Sequence, residues 1–317
     1  MKLKGKRVLV TGGAGFIGSH LVDRLVEEEA DVIVVDNLKD GDIRNLAESM
    51  DKIEFYKIDI RDFESLKKVM VDVEIVFHLA ANANVPYSVE NPKYDFETNA
   101  LGTFNVLKIC LDSDVDKVIY ASSAAVYGEP IYVPIDENHP LNPISPYGAS
   151  KLAGERLGFA YYTTYGLKFV SLRIFNTYGE RQRRYVMFDF LKKLAENPKR
   201  LEVLGTGEQI RDFCYVKDCV EAFILAAQKN VAVGEVFNIA GGNPISIREL
   251  AYLMVKILGL DGQTKIVFTR KSWKGDIMKL YADVSKIKCK LGFKPKVSLE
   301  EGILRLKRWF DENYSYL

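Results

Sequence analysis

Thr11-Gly12-Gly13-Ala14-Gly15-Phe16-Ile17-Gly18 leaves a short apolar run, Arg7 to Thr11, and opens a helical pattern over Ser19 to Glu29. Glycines at 12, 15 and 18 let the backbone turn tightly, approach a pyrophosphate and pack a helix on a sheet. The helix start then offers unpaired N–H groups and a positive dipole end to that pyrophosphate. The loop lacks the closing Gly-Lys-Ser/Thr of a P-loop, which argues against nucleoside triphosphate hydrolysis. Asp36 ends the next apolar run, 18 residues beyond Gly18. A carboxylate there accepts hydrogen bonds from a ribose 2′-hydroxyl and repels a 2′-phosphate, so NAD is expected rather than NADP.

Outward from this loop, short β-branched runs alternate with helical patterns. Asp31 to Asp36, Ile53 to Ile58, Ile75 to Leu79, Lys117 to Ala121 and Phe169 to Ile174 read as strands, apolar nearly throughout as strands covered on both faces should be. Phe63 to Met70 and Thr98 to Leu111 carry helical periodicity. Strand-helix alternation predicts an α/β fold, a Rossmann-type doubly wound parallel sheet. Asp59-Ile60 and Leu79-Ala80-Ala81 then fall at the carboxyl edge, where a dinucleotide lies. After Asn176 the rhythm changes, with a basic run Arg181-Gln182-Arg183-Arg184, helices over Val186 to Glu196, Ser246 to Leu258 and Leu299 to Tyr314, and one more core strand, Val236 to Ile239. The expected organisation is a dinucleotide-binding domain over 1–175 and about 214–245, with a smaller α/β substrate lobe over 176–213 and 246–317.

Composition fits this reading. Of 317 residues, 48% are hydrophobic and 27% charged, and 44 basic residues against 43 acidic leave a net charge of +1. That balance argues against a dedicated nucleic-acid or anionic-membrane binder. No apolar stretch approaches the roughly 20 residues of a membrane helix, and Val8-Leu9-Val10 is too short for a secretory signal, so a cytoplasmic protein is expected. Cys110, Cys214, Cys219 and Cys289 form no Cys-x-x-Cys pair, and no histidine stands nearby at ligand spacing. Buried free thiols are expected, without a zinc site or disulfides.

Tyr147 and Lys151 share a helix face, four residues apart, in a helix that Ser145 caps and Pro146 starts. A cation beside a phenol favours the phenolate and makes it a usable base near neutral pH. Tyr252 and Lys256 have the same spacing without other catalytic signs. Only the first pair follows a strand ending in Ser122-Ser123-Ala124-Ala125-Val126-Tyr127-Gly128, which sets a hydroxyl at the sheet's carboxyl edge.

Four ordered motifs, the glycine loop, Ser-Ser-Ala-Ala-Val-Tyr-Gly, Ser-Pro-Tyr-Gly-Ala-Ser-Lys and Arg211-Asp212-Phe213, resemble the extended short-chain dehydrogenase/reductases, most closely the nucleotide-sugar epimerases of the UDP-glucose 4-epimerase type. The resemblance spans essentially the whole chain. It implies a seven-stranded Rossmann core, tightly held NAD, a UDP-sugar substrate and a homodimer built from the helices near Thr98 and Tyr147. NAD contacts are implied at Gly12, Gly15, Phe16, Ile17, Gly18, Asp36, Asn37, Asp59, Ile60, Leu79, Ala80, Ala81, Tyr147, Lys151 and Phe175, with Asn99 bracing the core beside them. Ser123, Tyr147 and Lys151 are implied as catalytic, and His78 as a packed strand residue. The sugar nucleotide is implied to meet Val85, Ser88, Ser123, Tyr147, Asn176, Arg211 and Leu280, with Asn176 and Arg211 at the diphosphate.

Within such a family, dehydratases carry an Asp-Glu pair after the serine and decarboxylases a glutamate, whereas Ala124 and Ala125 stand here. The resemblance therefore implies interconversion of UDP-glucose and UDP-galactose at C4 through a 4-keto sugar. A UDP-N-acetylhexosamine 4-epimerase, a dehydratase or decarboxylase using another acid, and a non-catalytic NAD-binding protein are the alternatives. Leu280 is intermediate between the tyrosine that excludes N-acetylated sugars and the small residues that admit them. Two departures bear on the nucleotide. Trp273-Lys274-Gly275-Asp276 stands in place of Arg-x-Gly-Asp, for which Arg270, Lys271, Lys274 or the run Arg181 to Arg184 are candidate substitutes. Glu180 replaces a common proline.

Overall fold

The structure, a computed structural model, describes residues 2–271 and 277–314. Its centre is a seven-stranded, wholly parallel sheet made of β1 (Arg7–Thr11), β2 (Asp31–Asp36), β3 (Ile53–Lys57), β4 (Ile75–His78), β5 (Lys117–Ser123), β6 (Lys168–Ile174) and β10 (Val236–Ile239), in the order β10-β6-β5-β4-β1-β2-β3. The order reverses between β1 and β4, and that switch point opens a crevice at the strands' carboxyl ends.

Helices α1 (Phe16–Glu27), α2 (Phe63–Val69), α3 (Val85–Glu90), α4 (Pro92–Phe96), α5 (Gly102–Asp112) and α6 (Pro146–Tyr165) connect these strands. The glycine loop shortens the expected lead-in, so α1 starts at Phe16 rather than Ser19. Between α4 and α5, Glu97–Leu101 form a π-helical turn. The Ser145 hydroxyl accepts the Gly148 N–H at 3.1 Å, Pro146 fills the first turn, and Gly166 ends α6 in the left-handed region.

The small lobe contains β7 (Asn176–Tyr178), α7 (Val186–Glu196), β8 (Arg200–Val203), β9 (Ile210–Tyr215), β11 (Pro244–Ser246), α9 (Ile247–Ile257), β12 (Lys265–Phe268), β13 (Lys279–Leu280) and α11 (Leu299–Tyr314). Strand β9 pairs with β7, β11 and β13, and β8 with β12. One apolar cluster joins Phe190 and Leu194 of α7, Leu250 and Met254 of α9, and Leu306 and Phe310 of α11. Helix α8 (Val216–Gln228) packs with the large core, and so does α10 (Ser285–Leu291), whose Ile287 and Leu291 are buried there. Residues 285–291 thus leave the stretch that the sequence reading assigned to the substrate lobe, because α10 lies against the β10 edge.

Beneath the carboxyl ends of the strands lies a buried ionic cluster. Arg173 grips Glu155 through Nη2 at 2.6 Å and Nε at 3.1 Å, donates to the Tyr127 hydroxyl at 2.9 Å, and Tyr127 in turn donates to Asn238 at 2.6 Å. The cluster ties α6 to β6 and β10. Cys110, Cys214 and Cys219 are buried free thiols, but Cys289 is exposed, because it lies on the outer side of α10. Among the described residues no helix is long and apolar enough to cross a membrane, and no group of three potential ligands could hold a metal ion.

Candidate active site

A cleft of about 710 Å³ runs along the carboxyl ends of the sheet strands and under the small lobe. Its floor begins with the glycine loop. Gly12 has φ +73°, and a Cβ there would sit 2.7 Å from the Ala80 nitrogen; a Cβ on Gly18 would sit 2.1 Å from the Gly12 carbonyl oxygen. Neither position tolerates a side chain, so the backbone stays bare where the helix starts. No side chain caps α1 at Gly15, which leaves its first-turn amides for a ligand.

Asp36 stands next on the wall. Its carboxylate accepts from the amides of Ala14 at 3.0 Å and Leu38 at 2.8 Å, and burial raises its pKa. Two amides occupy half of a carboxylate's acceptor capacity, which leaves lone pairs for a hydroxyl. Asn37, Ile60, Leu79, Ala80, Ala81 and Phe175 complete the wall beside Gly15, Phe16 and Ile17. Three buried polar atoms along the cleft, Thr98 Oγ1, Asn176 Oδ1 and Gln182 Oε1, bond nothing in the protein. The bare loop, the half-satisfied carboxylate and these acceptors together fit a dinucleotide and a polar ligand beyond it.

Ser123, Tyr147 and Lys151 converge on the middle of the cleft. The Ser123 hydroxyl accepts the Ala125 N–H at 3.1 Å and hydrogen-bonds the Tyr147 phenol. The Lys151 ammonium lies 4.3 Å from the centre of the Tyr120 ring, whose hydroxyl donates to the Lys151 carbonyl at 3.1 Å. Burial pushes the phenol well above the ordinary tyrosine value, opposed by Ser123, and pushes Lys151 down to about 7, opposed by Asp95 and Glu155. The sequence reading had the ammonium pulling the phenol down. In the folded chain desolvation of both groups outweighs that attraction, and spacing alone carries no information about burial. Tyr252 of the control pair is 55% exposed on α9, away from the cleft.

Val85, Asn176, Arg211 and Leu280 line the far end. Asp212 accepts from the amides of Gly242 and Asn243, while Arg211 donates to the Ile210 carbonyl at 2.9 Å. Three expected contacts lie behind the wall. Ser88 is fully buried, donates to the Val85 carbonyl at 2.6 Å and accepts the Tyr147 N–H at 3.2 Å, so it supports both. Asp59 is held by Asn37 and Arg61. Asn99 bonds Asn82, Asp95 and Ser150. His78 is a packed strand residue between the Thr11 and Thr103 hydroxyls, at 2.7 and 2.9 Å.

The basic run straps the lobes together over the cleft. Arg181 pairs with Asp23 at 2.7 Å, Arg183 with Asp42 at 2.6 Å and Arg184 with Asp40 at 2.8 Å, while the Tyr185 hydroxyl donates to the Ala83 carbonyl at 2.8 Å. Arg181 and Tyr185 hold positive φ, 68° and 73°, so the strap carries backbone strain that the ion pairs offset. With its guanidinium groups matched to aspartates, the run is poorly suited to replace the missing phosphate-binding arginine; Trp273 to Asp276 lie outside the described residues. Glu180, in the proline's place, accepts the Tyr215 hydroxyl at 2.6 and 2.7 Å through its carboxylate and the His20 Nε2–H at 2.9 Å through its carbonyl. Sequence reasoning missed Thr98, Gln182, Tyr185 and the strap's aspartates, since none belongs to a local pattern.

Burial, aided by the Arg181 charge, lowers the His20 pKa to about 4. An unfolded histidine takes its proton near 6.5, so between pH 6.5 and 4 the unfolded state binds more protons and stability falls as pH falls. His78, lowered to about 3 by burial, adds to the same slope. His20→Gln, which keeps an N–H donor, is expected to flatten the fall in melting temperature across this window. An unchanged slope would remove His20 as a contributor.

Fold and site together define a short-chain dehydrogenase/reductase of the extended, nucleotide-sugar-modifying type. The chain belongs to the family described as GDP-mannose 4,6 dehydratase, whose model matches residues 9–306. It is 44% identical over 313 residues, 96% of this chain and 99% of the other, to a putative UDP-glucose 4-epimerase of Methanocaldococcus jannaschii. Among solved structures it resembles a UDP-glucose 4-epimerase of Thermotoga maritima with UDP-glucose (39% identity, TM-score 0.91, 97% and 99% of the chains). It also resembles a dTDP-glucose 4,6-dehydratase of Streptomyces venezuelae with NAD bound (33% identity, TM-score 0.90, 98% of each chain). The family thus contains both epimerases and dehydratases.

Proposed function

We propose that this protein is an NAD-dependent nucleotide-sugar 4-epimerase that interconverts UDP-glucose and UDP-galactose. One observation carries the choice over a dehydratase. Ala124 and Ala125 line the cleft beside Ser123, and the carboxylates among its described lining residues are Asp36, Asp40 and Asp42, all on β2 or the loop after it. Eliminating water or carbon dioxide needs an acid–base group beside the sugar, and alanines cannot move a proton.

Bound NAD would supply the hydride acceptor and donor that sugar C4 needs. Tyr147 takes the proton of the sugar 4-hydroxyl and gives it back, Ser123 holds the same oxygen, and Lys151 supplies positive charge beside the phenolate. Gly12, Gly15, Gly18 and Asp36 hold the dinucleotide. Arg211 and the Asn176 amide N–H donate to the substrate diphosphate, and the unpaired Asn176 carbonyl oxygen accepts from a neighbouring hydroxyl. The sugar turns over at the 4-keto stage, and Leu280 leaves room for N-acetylated hexoses. Support for a homodimer comes from an apolar stripe on α4, the π turn and α5, where Phe96, Leu101 and Phe104 are 60%, 44% and 39% exposed.

The test is to incubate the purified protein with UDP-galactose and no added NAD and to look for UDP-glucose. Conversion is expected. Absence of conversion of UDP-galactose and of UDP-N-acetylgalactosamine, with NAD shown to be bound, would rule the reading out.

A further inference from the structure

The strap from Arg181 to Tyr185 is rooted at both ends. Before it, Glu180 is held by Tyr215 and His20, and after it the chain enters α7 at Val186. Between these roots its partners sit on separate elements: Asp23 on α1, Asp40 and Asp42 in the loop after β2, and Ala83 after β4. Those elements surround the bare glycine loop and Asp36, and strap, loop and glycines line one cleft. A dinucleotide held by Gly12, Gly15, Gly18 and Asp36 therefore lies beneath the strap.

The loop after β2 is held from its other side as well. Lys39 Nζ stands 3.2 Å from the centre of the Tyr94 ring of α4. The strap's own anchors differ in shelter. Arg181 and Asp23 have side chains 13% and 19% exposed, whereas Arg184 and Asp40 are open to water at 38% and 47%. Asp42 divides its charge between Arg183 and Arg44. The outer pairs are thus the weak, salt-screened ones, and the strap pivots at Arg181. Positive φ at Arg181 and Tyr185 is strain that opening relieves.

We propose that the strap is a latch that retains NAD. The Arg183 and Arg184 pairs must break before the dinucleotide enters or leaves, so ionic strength sets the rate of cofactor exchange. Neither arginine takes part in the hydride transfer; each acts through the aspartate it holds. The inference rests on NAD in this cleft and not on which sugar the protein turns over.

The experiment loads the full chain with NAD and dilutes it into alcohol dehydrogenase and ethanol, which reduce released NAD so that it is read as NADH. Raising salt from about 0.05 M to about 1 M is expected to speed release about fivefold or more. Arg184→Asp at low salt is expected to speed it about threefold or more, and adding Asp40→Arg in the same chain, which rebuilds the pair with its charges exchanged, to bring it back near the wild-type rate. Lys168→Gln breaks an exposed pair with Asp116 at the amino ends of the strands, away from the cleft, and is expected to change nothing. Release that is indifferent to salt and to Arg184→Asp overturns the latch, as does a double variant as fast as the single one. No release from any of these before unfolding also overturns it. A raised KM for UDP-galactose in Arg184→Asp with NAD release unmoved would make the arginine a substrate ligand instead. Should Arg184→Asp not fold, the salt dependence of the wild-type protein decides. Faster release from a protein that turns over no UDP-hexose supports the latch and sinks only the epimerase assignment.

Discussion

Tyr147→Phe is expected to lower turnover of UDP-galactose by about two to four orders of magnitude, the usual worth of a positioned acid–base group. The ring keeps its volume and packing, so only the hydrogen bond to Ser123 is lost. Retained NAD and a melting temperature close to wild type should accompany the loss. Ser123 cannot take over, since a serine hydroxyl is a far weaker acid than a phenol. A variant that keeps a tenth or more of the wild-type rate would move the proton transfer to another group. A variant that loses NAD would show the phenol acting in binding instead.

Glu155→Ala should lower stability by about 3–5 kcal/mol, because it leaves the Arg173 guanidinium buried and without its counter-ion. Glu155 is wholly buried and the Arg173 side chain 3% exposed, so water cannot replace the lost carboxylate without opening the sheet. Ser171 loses its acceptor at the same time. A urea titration at pH 7 reads the effect as a lowered midpoint, and replacing Arg173 by methionine in the same chain should restore part of it. The pair also fixes a pH dependence. Arg173 holds the Glu155 carboxyl below its ordinary value, so its contribution is complete above about pH 4.5 and is lost as pH falls through the lower, folded value. A midpoint unchanged in Glu155→Ala would mean the guanidinium finds solvent.

The sheet was legible because its code is local. Seven apolar runs gave strands within two residues of those observed, and Ser145-Pro146 announced α6 by its cap. Strands β7, β9, β11 and β13 were not legible: two to six residues long, they carry no periodicity that outweighs their neighbours. The converging Ser123, Tyr147 and Lys151 could be read because Ser123 ends β5, Tyr147 opens α6 behind its cap, and Lys151 follows Tyr147 by one helical turn. Their electrostatics could not, since burial is a property of the assembled lobes. Arg184 and Asp40 lie 144 positions apart, and nothing in either neighbourhood names the other. Asp95 likewise looks like any acid in a short amphipathic helix until Asn82, Asn99 and Ser150 are brought around it.

Strand β10 completes the sheet only after the chain has visited the small lobe, and α10 returns once more to cover it. A gene fragment ending at residue 175 would therefore encode a sheet with the β6 edge bare, a row of unsatisfied amides and carbonyls that invites other chains to pair. The large sheet and the small lobe cannot be separated by a single cut, and shuffling them between relatives demands exchanging several segments at once.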